Sequence, residues 1–497
     1  MHPDQDFDPE RDLSPDRADL VQDLELSTLL HAMATGDQFL YDVASQAILG
    51  SVADPSVILY RQHVLADCLQ QPTVIREIYD IVVEAITREK KEYFSLLRRS
   101  PDGVLNRSVR VLEIFIGQLR RLRNIADQHA NNFNSEGFGR FYAMLSKELD
   151  DDFFTQAENH IRELKFRRGV LISVQLGKGN KGIGYVLRKL REQSWTERIS
   201  PGRSGYSFHI PDRDENGFRA LSELQDRGIN LVANALAQST DHILSFFRML
   251  RSELGFYVGC LNLRERLASK GEPTCFPAPV AAGQTTLSAR GLYDVCLSLH
   301  IGERAVGNAV NADGRQLIMI TGANQGGKST FLRSVGLGQL MMQCGMFVPA
   351  EEFRADVRRG VFTHYKREED ATMQSGKLDE ELSRMSGIID RITAGGLLLC
   401  NESFASTNER EGAEIASQIV QALLDRGIKV LFVTHLFELA HRFHREGAAG
   451  SLFLRAQRRP DGARTFRLAE GEPLPTSHGE DVYQRIFRPD PASAAAR

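Results

Sequence analysis

The sequence predicts a multidomain protein: an all-α core and lever domain with a small β-containing insertion, then an α/β domain built on a phosphate-binding loop. Three observations carry that expectation. Apolar residues recur three and four apart over most of residues 27–276, the spacing of an amphipathic helix face. From about residue 276 onward, short apolar runs alternate with helical stretches, the pattern of a layered α/β domain. At residues 321–330 the chain reads TGANQGGKST, after the apolar run Leu317, Ile318, Met319, Ile320 and before Phe331, Leu332, Arg333. The chain has 497 residues. That is too long for one ordinary core, so roughly two to four domains are expected.

Composition narrows the class. The chain is 42% hydrophobic and 25% charged, with a formal net charge of −4. This balance argues against a globally basic nucleic-acid binder and leaves room for a local basic patch. The six cysteines, Cys68, Cys260, Cys275, Cys296, Cys344 and Cys400, form no CxxC pair. That spacing argues against a disulfide framework or a zinc site and suits a reducing cytosol, so a cytoplasmic location is expected. The first residues, MHPDQDFDPERD, hold no apolar segment, and no signal peptide is expected. No run approaches the roughly 18 apolar residues of a membrane helix, so no membrane span is expected.

Taken in order, residues 1–26 hold nine Asp/Glu against two Arg and read as a disordered acidic leader. The helical core and lever domain is expected over 27–276, with Pro55 and Pro72 at helix breaks. Residues 88–123 carry ten Lys/Arg and four Asp/Glu, a pattern read as a solvated helix face in preference to a DNA contact. A clamp-like insertion is expected at about 165–215, where Val170 to Val174 reads as a strand, GKGNKGIGY as glycine-rich turns, and Tyr206 to Ile210 as a second strand. Over 162–203 eleven Lys/Arg face three Asp/Glu, which gives +8. This segment suits a grip on a phosphate backbone and a solvated insertion equally. Arg167, Arg168, Lys178, Lys181, Arg188 and Lys189 are the candidate DNA contacts within it. Helix returns from Gly217 to about Ser269. Residues 271–284, rich in proline, glycine and alanine, read as the domain linker. The ATPase-type domain is expected over 277–488, and 489–497 as a disordered tail.

The loop at 321–330 has residue types that phosphate chemistry requires. Gly322, Gly327, Lys328 and Ser329 fill the fixed positions of G-x-x-x-x-G-K-[ST]. Glycines let successive amides turn inward around phosphate oxygens, and the helix that follows aims its positive dipole end at them. The nucleotide-binding set is therefore Gly322, Ala323, Asn324, Gln325, Gly326, Gly327, Lys328, Ser329 and Thr330. Lys328 is expected to reach the β- and γ-phosphates of ATP, and the Ser329 hydroxyl to ligate Mg²⁺. Two further apolar runs end in polar residues: residues 396–400 before Asn401 and Glu402, and residues 429–433 before Thr434 and His435. Ligands of open parallel sheets sit beyond such carboxyl ends. Glu402 is the candidate general base for an attacking water, and His435 a candidate to report on or polarise the γ-phosphate.

At these residues the chain resembles the ATPase domain of the MutS DNA mismatch-repair family, an ABC-class P-loop NTPase. TGANQGGKSTFLR is similar to the family's GxNxGGKST loop. Residues 345–353 (GMFVPAEEF), 401–412 (NESFASTNEREG), 434–440 (THLFELA) and 477–482 (SHGEDV) resemble, in order, its later segments, the last two being the histidine switch and the closing motif. The helical half, including residues 58–69 (ILYRQHVLADCL), resembles the family's core and levers more loosely.

The resemblance implies ATP and Mg²⁺ as cofactors, a homodimer with ATP sandwiched between copies, DNA as partner, repair partner proteins, and a nucleoid association when DNA is bound. Three departures qualify it. The family's Walker B Asp is Asn401 here, which would join Ser329 at the metal without bringing charge, so slow hydrolysis is expected. The family's serine-containing signature loop corresponds to residues 374–381, where Ser375 or Lys377 would act on the other copy's nucleotide. The helical core starts near residue 27, which leaves no room for a mismatch-reading domain or connector, so direct mismatch reading is not expected. An ATP-gated dimeric clamp in DNA repair or recombination is the leading expectation. The alternative is a nucleotide-switched scaffold that regulates a protein partner without touching DNA. An ABC transport ATPase is disfavoured because no LSGGQ-type signature precedes Glu402, and a long coiled-coil chromosome ATPase because the helical half is too short and too broken.

Overall fold

The computed structural model describes residues 1–13, 16–94, 100–166, 169–189, 209–211, 214–367, 376–447, 450–459 and 463–474. The chain forms two compact units, one of residues 1–72, 135–137 and 255–497, the other of 73–134 and 138–254.

The amino-terminal helices are set by local capping. Helices α1 (Arg17–Asp23), α2 (Leu26–Ala34), α3 (Gln38–Leu49) and α4 (Pro55–Gln70) follow one another. The Asp37 side chain accepts from the amides of Phe39 and Leu40, and Asp54 from that of Ser56, so each satisfies an orphan donor at a helix start. Pro55 and Pro72 open α4 and α5 (Pro72–Phe94), where a missing N–H costs nothing. Of residues 1–26, expected as a disordered leader, the part from Asp16 on is instead docked: α1 lies on the sheet, with Leu20 and Leu24 buried. A low apolar content hid this, because only a few apolar residues are needed once acidic neighbours find arginines.

In the second unit α5 runs beside α6 (Pro101–His129), tied by the Arg107–Glu89 (2.7 Å) and Arg110–Glu92 (3.0 Å) pairs. These pairs use part of the basic charge that the sequence places in 88–123. Helices α7 (Glu136–Glu148) and α8 (Asp151–Leu164) follow, then the hairpin of β1 (Leu171–Leu176) and β2 (Gly182–Arg188). Here the structure corrects the expected insertion: the second strand lies inside the glycine-rich run, where Ile183 pairs with Gln175 and Leu187 with Ile172 on either side of a register shift. Residues 209 and 210 are not in a strand, and 206–208 lie outside the described residues. Helix α9 (Glu215–Ser269) matches the expected long helix, and Ile172 of the hairpin sits so close to Gly228 that a Cβ there would lie 2.4 Å from it.

The first unit then adds β3 (Ala278–Val280), β4 (Leu287–Leu292), α10 (Val295–His300), β5 (Asn308–Asn311), β6 (Leu317–Thr321), α11 (Lys328–Gln343), β7 (Glu352–Asp356), β8 (Val361–Tyr365), α12 (Lys377–Arg391), β9 (Leu397–Asn401), α13 (Glu409–Asp425), β10 (Lys429–Val433), α14 (Phe437–Arg445), β11 (Ser451–Arg458) and β12 (Arg464–Glu470). One sheet has the order β12-β11-β6-β10-β9-β8, parallel except for β12, and the other the order β3-β7-β4-β5. The expected linker holds β3, whose Pro279 is tolerated because β3 is an edge strand. The division expected at residue 276 is therefore not the one compactness draws, since α1 to α4 pack with the strands. Strands β6 and β10 are buried along their whole length, as parallel strands covered on both faces must be. A cluster including Met319, Leu398, Phe404, Val420, Phe432 and Phe443 fills one face.

Candidate nucleotide-binding site

Strand register builds the site. Val433 pairs with Ile320 of β6 and with Asn401 of β9, so β6, β10 and β9 end level. The residues just beyond them, Gly322, Glu402 and Thr434, share one sheet edge. Two amides beyond the strands fix that edge: Thr434 donates to the Ile320 carbonyl (3.0 Å) and Glu402 to that of Val433 (2.9 Å).

Between β6 and α11 the loop turns through left-handed conformations at Gly322 (φ 109°), Gln325 (φ 59°) and Gly327 (φ 88°). A Cβ at Gly326 would lie 2.7 Å from Ala456 Cβ and 2.8 Å from the Ala323 carbonyl oxygen, so a side chain is excluded there. Lys328, the first residue of α11, is buried, and its ammonium donates to the carbonyls of Gly322 (2.8 Å) and Ala323 (3.1 Å). Burial lowers its pKa, and the Glu402 carboxylate offsets this in part. Ser329 Oγ donates to Asn401 Oδ1 at 2.8 Å. Glu402 is half-buried, at φ 55°, a left-handed conformation unusual for a residue with a side chain.

Comparisons with known proteins agree with this arrangement. The MutS2 N-terminal domain family matches residues 53–270, and MutS domain V matches residues 318–497. The chain belongs to the MutS family. Human MutS protein homolog 4 is 25% identical over 247 residues, 49% of this chain and 26% of that protein. The DNA mismatch repair protein MutS of Thermotoga petrophila is 39% identical over 125 residues, 25% of this chain and 16% of its own length. That of Thermus aquaticus is 34% identical over 148 residues, 28% of this chain and 18% of its own. The chain thus covers about a quarter or less of each of these relatives.

The structure of this MutS-family chain brings the loop residues, Asn401 and Glu402 together, with His435 exposed at the same edge. Lys377 opens α12, while Ser375 lies outside the described residues, as do the closing residues 477–482. Of the candidate DNA contacts, Lys178, Lys181, Arg188 and Lys189 lie on the hairpin of the second unit, and Arg167 and Arg168 are outside the described residues. Lys189 pairs with Glu163 (2.6 Å) and Arg188 donates to Ser173 (3.0 Å), so part of the +8 charge is met locally.

Sequence reading missed two groups. Phe466 on β12 is 49% exposed at φ 58°, and its carbonyl oxygen lies 3.2 Å from where a Cβ on Gly327 would be, so it borders the loop. The Asn308 side chain holds it there, donating to the Phe466 carbonyl (3.2 Å) and accepting from the Leu468 amide (2.8 Å). The second group is a buried polar chain below the Glu402 turn. His364 Nε2 donates to the Glu381 carbonyl (3.0 Å), and its Nδ1 lies 2.7 Å from the Ser403 hydroxyl, which is also 2.8 Å from the His364 carbonyl oxygen. The Ser406 hydroxyl donates to Glu381 Oε1 (2.7 Å), and the His364 ring stacks on Phe404 at 5.5 Å. Neither group has a motif, because its members come from separate elements. Among the described residues no cluster of three or more His, Cys, Asp or Glu suits a metal, and no helix is long and apolar enough to cross a membrane.

Proposed function

We propose that this chain binds ATP at the loop 322–330, hydrolyses it slowly, and uses the nucleotide to gate a dimer acting on DNA in repair or recombination. The observation that carries this reading is the convergence of Lys328, the Ser329–Asn401 pair and Glu402 on one sheet edge. Lys328 binds the phosphates and Glu402 takes the proton of the attacking water. The exposed Phe466 offers a ring face to the base.

Two oxygen donors 2.8 Å apart, Ser329 Oγ and Asn401 Oδ1, suit a hard cation such as Mg²⁺. Mg²⁺, when bound, neutralises charge on the transferred phosphoryl group. Asn401 supports this with a carbonyl oxygen and no charge, which favours binding over fast turnover. His435 stands where it would sense the γ-phosphate, and Ser375 or Lys377 would complete the site of the second copy.

The hairpin bearing Lys178 and Lys181 would meet the phosphate backbone. A second reading, a nucleotide-switched scaffold for a protein partner, is favoured by the exposed apolar residues of the same hairpin, Leu176 at 78% and Ile183 at 51%. One experiment separates the two. Homoduplex, mismatched and branched DNA are titrated with and without ATP over a range of salt, with Lys328→Ala as control. The first reading expects binding whose logarithm falls with log salt, a slope reduced by about one for each hairpin lysine changed to Ala, and loss of the ATP effect in Lys328→Ala. A flat salt slope supports the scaffold.

A further inference from the structure

We infer that the acidic amino-terminal helix α1 is a positioning brace for the nucleotide site, with Asp16 holding the end of α12, the helix that opens with Lys377, and Asp19 holding Arg367 just after β8. The inference rests on the ATP-site reading above for its functional consequence, and on geometry alone for the brace.

Arg367 lies two residues after β8, and Arg391 closes α12. Arg367 pairs with Asp19 and lies 3.9 Å from Asp23. Arg391, the last residue of α12, holds Asp16 in a fork: Nε lies 3.0 Å from Oδ1 and 3.2 Å from Oδ2, and Nη2 2.5 Å from Oδ1. A third contact reaches the phosphate loop's own helix, where Arg333, five residues past Lys328, pairs with both Glu25 and the buried Asp294. Four acids from one short stretch thus meet three arginines on three separate elements of the site.

A helix of seven residues does not hold itself together in water, so α1 owes its order to these contacts. Its apolar side is embedded: a Cβ placed on Gly336 of α11 would lie 2.9 Å from Leu24 and 2.6 Å from Leu399 of β9. The acids cannot drift either. Asp16 and Asp23 are buried, and a buried carboxylate that loses its arginine keeps its desolvation cost without compensation. A helix α12 held at Arg391 presents Lys377 from a fixed base. A displacement of α12 during a nucleotide cycle must carry α1 with it or break the Asp16 pair.

The test uses the full chain with the double substitution Asp16→Ala/Asp19→Ala and the charge exchange Asp16→Arg/Arg391→Asp. Amide hydrogen exchange is read over residues 376–391, alongside ATP affinity and turnover. In the double alanine variant, exchange in α12 is expected to rise about tenfold. ATP affinity should stay within about twofold, since the loop is untouched, while turnover falls several-fold. The charge exchange, which re-forms one pair, should return α12 exchange toward the parent value, a recovery that a merely unfolded variant would not show. Unchanged α12 exchange, failure of the charge exchange to restore it, or unchanged turnover in a chain whose α12 has loosened overturns the inference. A parent chain that hydrolyses no ATP defeats the ATPase reading instead, and the exchange data still decide whether the brace exists.

Discussion

At Glu402 the backbone is held left-handed by a hydrogen bond to the neighbouring strand, and the carboxylate feels the Lys328 ammonium. A residue held in so constrained a place is expected to act in the chemical step more than in binding. Glu402→Gln should lower kcat by about a hundredfold with ATP affinity within a few fold, measured by steady-state hydrolysis and nucleotide titration. Unchanged turnover removes Glu402 from the reaction. Asn401→Asp, which restores a charge beside Ser329, should lower the Mg²⁺ concentration needed for half-maximal rate. Below that turn, His364 has its pKa pushed down from 6.5 to about 4, first by burial and then by the Arg384 guanidinium. Its neutral form is the one the fold accepts. The stabilisation is therefore complete above pH 6.5 and lost as pH falls toward 4. Linkage sets the loss at up to roughly 3 kcal/mol. Urea unfolding at pH 7 and pH 4.5 should show a drop that His364→Phe makes shallower; an unaltered slope in that variant would refute the assignment. Lys328, Ser329 and Glu402 were legible because a local pattern names them. His364 was not, since its partners Glu381 and Ser403 are 17 and 39 residues away.

Among the elements, the turn between β9 and α13 is tightly packed against the start of α13. A Cβ on Gly412 would lie 2.4 Å from the Phe404 carbonyl oxygen, closer than any real contact allows. Gly412→Ala must therefore shift the turn that carries Glu402. We expect a stability loss of about 1–3 kcal/mol by thermal or denaturant unfolding, together with reduced hydrolysis. Full stability in this variant would show that the loop relaxes freely. The hairpin illustrates how an element reading fails in part. GIGYVLR carries two glycines, which favour turns, yet Ile183 pairs with Gln175 and Leu187 with Ile172 of β1. Backbone pairing outweighed composition because each strand pairing satisfies groups that a loop would leave to water. Helix α9, by contrast, was legible nearly to its ends, since its apolar spacing persists over 55 residues.

For the whole molecule, the question is what ATP does to association. If two copies close over nucleotide, ATP must bind the paired state more tightly than the open one. Sedimentation at fixed protein concentration should then show dimer rising with ATP in the parent chain and failing to rise in Lys328→Ala. Equal association with and without ATP would remove the gated clamp. The unit boundaries bear on how such a signal would travel. Helix α9 contributes residues to both compact units, so one continuous element belongs to the ATP-site unit at its end and to the hairpin unit over most of its length.

The sequence by itself determined the loop 322–330, the strand-end residues Asn401, Glu402 and His435, and the family, because these are local patterns in which a few spacings fix the chemistry. Tertiary structure decided the rest. That Asn401 receives the Ser329 hydroxyl, that Phe466 borders Gly327, and that the acidic start of the chain is a docked helix all depend on which distant elements pack side by side. The physical reason is the same in each case. Strand register and the pairing of buried charges are set by packing between segments tens to hundreds of residues apart, and residues 1–26 alone read as acidic and solvated until Arg333, Arg367 and Arg391 are brought to meet them.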